Sequence, residues 1–163
     1  MSTPYTENRF TLIAVPDTNT VSTSIDVNTS AEKAWDLVGN FAGFHRFIDG
    51  LNRIEMTHEG VRSVRKKFFD DGHVVLEQLN SIDNDAMIMT WTLIYTSLDI
   101  NNLWSSMRVE KISDNSCRVT WDIAGEPYTK DTSQEEFDKF LSGFATAALT
   151  NVKNIFETAT EAA

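Results

Sequence analysis

Arg65 and Glu77 are the residues whose types and spacing best support chemistry in this chain. They lie in two strand-like runs, Val61–Phe69 and His73–Ile82, on either side of the turn signal Asp70-Asp71-Gly72. If Gly72 takes the left-handed position of a three-residue loop, Phe69 pairs with His73 and Arg65 stands opposite Glu77. A two-residue loop would instead set Arg65 opposite Gln78. A carboxylate can accept and return a proton, and a guanidinium beside it can bind a carboxylate or an enolate oxygen. The same pair can also serve only to fix hairpin register. Tyr95 adds a phenolic donor at the end of a later strand, and Lys66 and Lys67 read as a solvated edge.

These residues need a frame. Val21–Val27 is a β-branched first strand. The capping box Thr29-Ser30-Ala31-Glu32 opens a short helix that stops at Gly39, and a second short helix, Phe41–Ile48, stops near Gly50. Beyond the hairpin, Met87–Tyr95, Leu103–Ile112 and Cys117–Glu126 read as strands separated by Asp/Asn/Ser turns. A Ser-x-x-Glu box at Ser133–Glu136 then starts one long amphipathic helix over residues 133–160. Its stripe runs Phe137, Phe140, Leu141, Phe144, Ala148, Val152, Ile155, Phe156 and Ala159. A helix with four Phe on one stripe needs a curved surface to cover it, and the strands supply a sheet. The class is α+β in a single domain over residues 21–160, with the polar residues 1–20 as a mobile N-terminal arm or an irregular extra strand.

Strand alternation sets Met89, Trp91, Leu93 and Tyr95 on one face, and their size places that face inward. Val119, Trp121 and Ile123 form another apolar face, so burial puts Trp121 inside. Trp104 is out of phase with Ser105 and Met107 and reads as an exposed aromatic at a lid or homodimer contact. Phe140, Phe144 and Ala148 share one line of the long helix, and Trp35, Phe44 and Phe47 suit a helical wall or mouth. This aromatic set serves equally well as a plain core or as the lining of an apolar ligand site.

Composition narrows the classes. The chain has 163 residues, 41% apolar and 10% aromatic, enough for one packed domain. A net charge of -10 argues against nucleic acid or an anionic membrane surface as partner. No run suits a membrane span or a secretory signal, and the lone Cys117 makes no internal disulfide, so the expected compartment is the cytoplasm. His45, His58 and His73 lack metal-site spacing, and there is no nucleotide loop or nucleophile elbow, so no metal and no cofactor is expected.

The element order and its motifs resemble the START/Bet v 1-like (SRPBCC) superfamily, nearest its polyketide cyclase/dehydrase-like subgroup. The resemblance rests on Ala31-x-x-Ala34-Trp35, Phe41-Ala42-Gly43-Phe44, Gly60-Val61-Arg62-Ser63-Val64-Arg65 and Asp71-Gly72. It continues through Leu76-Glu77-Gln78-Leu79 with Asp83, Arg118-Val119-Thr120-Trp121, Glu126-Pro127 and the final helix, spanning about residues 21–157. It implies a helix-grip fold: a seven-stranded antiparallel sheet curled around the long helix, with two short helices after the first strand. A cavity for hydrophobic small molecules would lie between them, with Arg65 and Glu77 pointing in. The chain departs from the pattern at Arg62, where the subgroup often has Gly, at Phe47 for Trp, and at Leu103 for a Tyr common near the cavity. Asp49 stands about where plant hormone receptors of the superfamily carry a carboxylate-binding Lys.

The resulting expectation is a cofactor-independent cyclase or dehydratase for a polyketide-like intermediate. Glu77, Arg65 and Tyr95 would be its catalytic groups, with Trp35, Phe44, Phe47, Met89, Trp91, Leu93, Trp121, Phe140, Phe144 and Ala148 around the ligand. The alternative is a non-catalytic carrier of an apolar or aromatic molecule. An interaction domain using the same fold ranks behind both.

Overall fold

The computed structural model of the chain describes residues 16, 18 and 20–161, so most of the proposed N-terminal arm, and the side chain of Ala159, lie outside the described residues. Seven antiparallel strands are β1 (Val21–Val27), β2 (Leu51–Met56), β3 (Val64–Phe69), β4 (Val74–Asp83), β5 (Ile88–Thr96), β6 (Ile100–Ser113) and β7 (Ser116–Pro127). They form one sheet in the order β1-β7-β6-β5-β4-β3-β2, and the helices are α1 (Ala31–Val38) and α2 (Gln134–Glu161). The long helix packs on β1 and β7, inside the curl of the sheet. This is the helix-grip architecture.

The strand that residue periodicity does not pick out is β2. It is a short edge strand with a register shift between Leu51 and Arg53, which breaks its alternation. The second short helix is only a single 3-10 turn, Phe44–Arg46. Asn40 explains part of this, because its side-chain oxygen accepts from the Ala42 N–H at 3.2 Å and commits the chain to a turn there. On α1 the cap is Ser30, which accepts from the Lys33 N–H, so the helix starts one residue later than the Thr29–Glu32 box implies. The α2 box forms as read: Glu136 N–H donates to Ser133 Oγ at 3.1 Å, and Ser133 N–H reaches back to Glu136.

The β3–β4 turn takes the three-residue form. Gly72 sits at φ +90°, Phe69 N–H donates to the His73 carbonyl at 2.9 Å, and Arg65 pairs with Glu77. Glycine is needed because an L side chain at that φ is strained, so this one residue sets the register that brings the two charges together. Gly39 has a different reason, since a Cβ there would lie 2.4 Å from the Trp35 ring.

The core is not uniform along the helix. Toward the C-terminal end of α2, Ala145, Ala148, Leu149 and Val152 are all buried, and the small alanines let helix and sheet close together. Nearer its N-terminus, Phe137 and Leu141 are buried against β7, Phe144 is half-buried and Phe140 is exposed. A Cβ on Gly125 would already meet Phe137 at 2.8 Å. Substituting Gly72→Ala is expected to cost about 1–2 kcal/mol through its positive φ, read as a lower urea midpoint with an unchanged slope.

Candidate active site

Alternation along β3 aims Ser63, Arg65 and Lys67 at the concave face, and all three are buried. Arg65 Nε donates to Glu77 Oε1 at 2.9 Å, and Lys67 Nζ reaches the same oxygen at 2.8 Å. The other oxygen, Oε2, accepts from Trp91 Nε1 at 3.1 Å. Arg65 also donates to the Phe41 carbonyl at 2.9 Å, and its guanidinium lies 3.9 and 4.0 Å from the ring centroids of Phe41 and Phe44. A single carboxylate is thus shared by two cations in an aromatic box, and the cluster carries a net +1.

Burial alone would push the Glu77 carboxyl up, but Lys67 and Arg65 outweigh it and hold the group down at about 2, from an ordinary 4.5. Burial pushes both cations down, and the Glu77 carboxylate beside them only partly offsets the loss of water. Glu77 therefore stays ionised at neutral pH. A base with so low a pKa is poorly matched to taking a proton from carbon, so the acid-base role expected of Glu77 does not fit its surroundings. It fits a group that fixes Lys67 and Arg65.

A cavity of about 290 Å³ opens beside the cluster. Its wall includes Lys67, Glu77, Leu93, Leu103, Ser105, Trp121, Ile123, Leu141 and Phe144. Asp49, Asp71, His73 and the half-exposed Phe140 stand around its mouth. Three polar groups of the wall have donors to spare. Ser105 Oγ and Trp121 Nε1 are buried with no hydrogen-bond partner among the described residues, and Lys67 uses one of its three N–H groups on Glu77.

The residues named from sequence fall into three groups. Leu93, Trp121, Phe140, Phe144 and Glu77 line the cavity. Phe44, Phe47, Met89, Trp91 and Ala148 are buried but do not line it. Phe44 packs on Phe47 at 4.8 Å and Trp91 at 5.5 Å between ring centroids, making a solid plug behind Arg65. Arg65 belongs to that plug and reaches the cavity only through Glu77.

Trp35 and Tyr95 lie elsewhere. Trp35 donates to Asn84 Oδ1 at 3.0 Å and lines a larger open cleft of about 870 Å³, together with Glu32, Asp36 and Glu59. That cleft is larger than the cavity, yet none of the three buried charges lines it, so the smaller cavity is the better candidate site. Tyr95 is 57% exposed. Strand β4 pairs Glu77 with Leu93 but the preceding Leu76 with Tyr95, so Ile94 is an extra residue. The bulge flips the alternation and turns Tyr95 outward.

Lys67 is buried, not a solvated edge residue. Its i, i+2 spacing from Arg65 was the signal, since any register that turns Arg65 inward turns Lys67 inward too. Ser105 had the same kind of signal through its phase with Leu103 and Met107. Trp104 is half-buried on the other face of β6, paired with Thr92. His45 is exposed, beside the 3-10 turn.

The sequence matches the family described as polyketide cyclase / dehydrase and lipid transport over residues 18–157. The chain belongs to that family. No curated protein matches it in sequence. Among solved structures it is similar to the protein XoxI of Bacillus cereus, at 22% identity over 85% of this chain and 96% of that one, with a TM-score of 0.78. A START superfamily protein from Mycobacterium smegmatis is 11% identical over 86% and 98% of the two chains, with a TM-score of 0.74. The Zhui aromatase/cyclase of Streptomyces sp. R1128 is 14% identical over 85% and 93%, with a TM-score of 0.67. At these identities the likeness is one of fold. Among the described residues, no helix is long and apolar enough to cross a membrane, and no group of three His, Cys, Asp or Glu is placed to hold a metal ion.

Glu77→Gln leaves two buried cations without their shared anion, and an expected loss of about 3–5 kcal/mol follows. The depressed Glu77 carboxyl contributes stability that is complete above pH 4.5 and is lost as pH falls toward about 2. Urea titrations of both proteins across that window should show a smaller acid-induced loss in the variant.

Proposed function

We propose that this chain is a cofactor-independent cyclase or dehydratase acting on a small polyketide-like intermediate. The observation that carries the reading is the Glu77–Lys67 pair set in the wall of a mainly apolar, aromatic cavity, with Arg65 behind it. Family membership supports it, as does the shared fold with an aromatase/cyclase. Ligand pockets run from about 300 to 1,000 Å³, so a cavity near 290 Å³ suits one or two rings rather than a long extended chain.

In this reading the aromatic wall holds the chain folded, so that reacting carbons meet. Loss of a proton beside a carbonyl to water at the cavity mouth leaves negative charge on its oxygen, and a proton returns by the same route when the hydroxyl departs as water. Lys67, held by Glu77, stabilises that charge where water cannot, and Arg65 adds its field from behind. Carbon–carbon bond formation and loss of water then follow on the substrate itself. The mouth residues Asp71 and His73 are the groups placed to exchange protons with solvent. Glu77 remains an anion throughout.

The second reading is a carrier that does no chemistry. It is favoured by the strongly ionised Glu77, which leaves the dry wall without a group tuned to give and take protons. Mass spectrometry of the intact purified protein, followed by identification of whatever small molecule denaturation releases, supplies the compound class to assay. For the enzyme, Lys67→Met should lower turnover about a hundredfold, the scale of losing one oxyanion donor, while Phe144→Ala mainly weakens binding. Product formation unchanged in Lys67→Met would sink the catalytic reading. Tight binding with no product from any keto compound of the released class would favour the carrier.

A further inference from the structure

In the buried part of the cavity wall, hydrogen-bond donors outnumber the acceptors left free. Trp121 Nε1 is buried, unpartnered and able only to donate. Ser105 Oγ is buried and unpartnered in the same cavity. Lys67 Nζ spends one N–H on Glu77 at 2.8 Å and keeps two. Glu77, the acceptor within the wall, already takes Arg65 and Lys67 on one oxygen and Trp91 on the other.

The charge count points the same way. Arg65 and Lys67 share one carboxylate, so a formal positive charge is left uncompensated in a buried cluster, and Arg65 Nη2 has no hydrogen-bond partner among the described residues. Such groups are costly unless something satisfies them. The remaining charged groups around Lys67 do not do so. Asp49 and Asp71 are exposed at the mouth, where water screens them, and His73 bonds Ser97 Oγ at 2.9 Å. What the wall lacks is an anionic oxygen brought in on a flat, apolar body.

We propose that the cavity binds its aromatic ligand as an oxyanion, a phenolate or the enolate form of a cyclic ketone, with that oxygen against Lys67, Ser105 and Trp121. This rests on the cyclase reading for the chemical class but not for its test. A phenol entering the cavity gives up its proton to solvent, and its oxygen takes the donors the wall leaves open. Neutral ring compounds of equal size bind more weakly, because they leave the same donors unsatisfied.

The probe is 4-nitrophenol, whose phenolate absorbs at a wavelength distinct from the phenol. Titrated with the full chain across a pH series, the bound phenol should ionise at least one pH unit below the free phenol, a tenfold preference for the anion. Nitrobenzene should bind at least tenfold more weakly than the phenolate. Lys67→Arg should keep the shift and Lys67→Met should abolish it, with far-UV circular dichroism confirming that each is folded. Should Lys67→Met not fold, Ser105→Ala and Trp121→Phe take its place, and each should reduce the shift. A bound phenol that ionises at or above its free value overturns the proposal. So does a shift that survives Lys67→Met, or survives both substitute variants, and so does failure of the probe to bind up to its solubility limit. A shift without turnover of any keto substrate would sink the enzyme and keep this site; turnover without a shift would do the reverse.

Discussion

Two cations share one carboxylate oxygen on the concave face of the sheet, and much of the molecule is arranged so that they can. Removing three charged groups from water costs several kcal/mol each, which attraction alone offsets only when the geometry is close and every lone pair is used. Glu77 comes close to that condition, with three donors on its two oxygens: one faces Arg65 and Lys67 at 2.9 and 2.8 Å, the other accepts from the Trp91 indole. The rings of Phe41 and Phe44 cover the guanidinium. That makes the 3-10 turn carrying Phe44 part of the electrostatics as well as of the packing. The register of the β3–β4 hairpin, and hence Gly72, is what lets the cluster form.

Much of this was legible in the residues. Asp70-Asp71-Gly72 names a left-handed turn residue, and counting outward from it puts Arg65 opposite Glu77, as found. The alternation rule that turns Arg65 inward also turns Lys67 inward, so Lys67 could have been read from the same count. It was obscured because a run of Arg-Lys-Lys has the composition of a solvated edge. Tyr95 was not legible. The count along β5 is sound as far as Leu93, and the extra residue at Ile94 reverses it, with no Gly or Pro to announce the bulge. A regular period cannot report its own interruption.

The extent of the cavity was equally hidden. The apolar stripe of α2 reads alike from Phe137 to Phe156, yet only its first half borders this cavity. The difference lies in side-chain size across the gap. Ala145 and Ala148 allow close approach of helix and sheet, and the buried rings of Phe44, Phe47 and Trp91 fill the middle of the concave face. Three of the seven aromatics that looked like ligand contacts, Phe44, Phe47 and Trp91, are thus the plug that ends the cavity. Packing volume decides this, and no one-dimensional pattern carries it.

The exterior and the interior of this protein have opposite electrostatic characters. The formal charge of -10 is set mainly by exposed carboxylates, whose fields fade in water over about 8 Å at physiological ionic strength. It speaks to what the surface repels, such as nucleic acid or an anionic bilayer. The Arg65–Glu77–Lys67 cluster is not screened in that way, because protein surrounds it, and its net charge is positive. An anionic group small enough to pass Asp49 and Asp71 at the mouth therefore leaves a repelling outer field within a few ångströms and enters an attracting one. Net charge weighs against large anionic partners at the surface of such a fold, but it says nothing against a small oxyanion inside it.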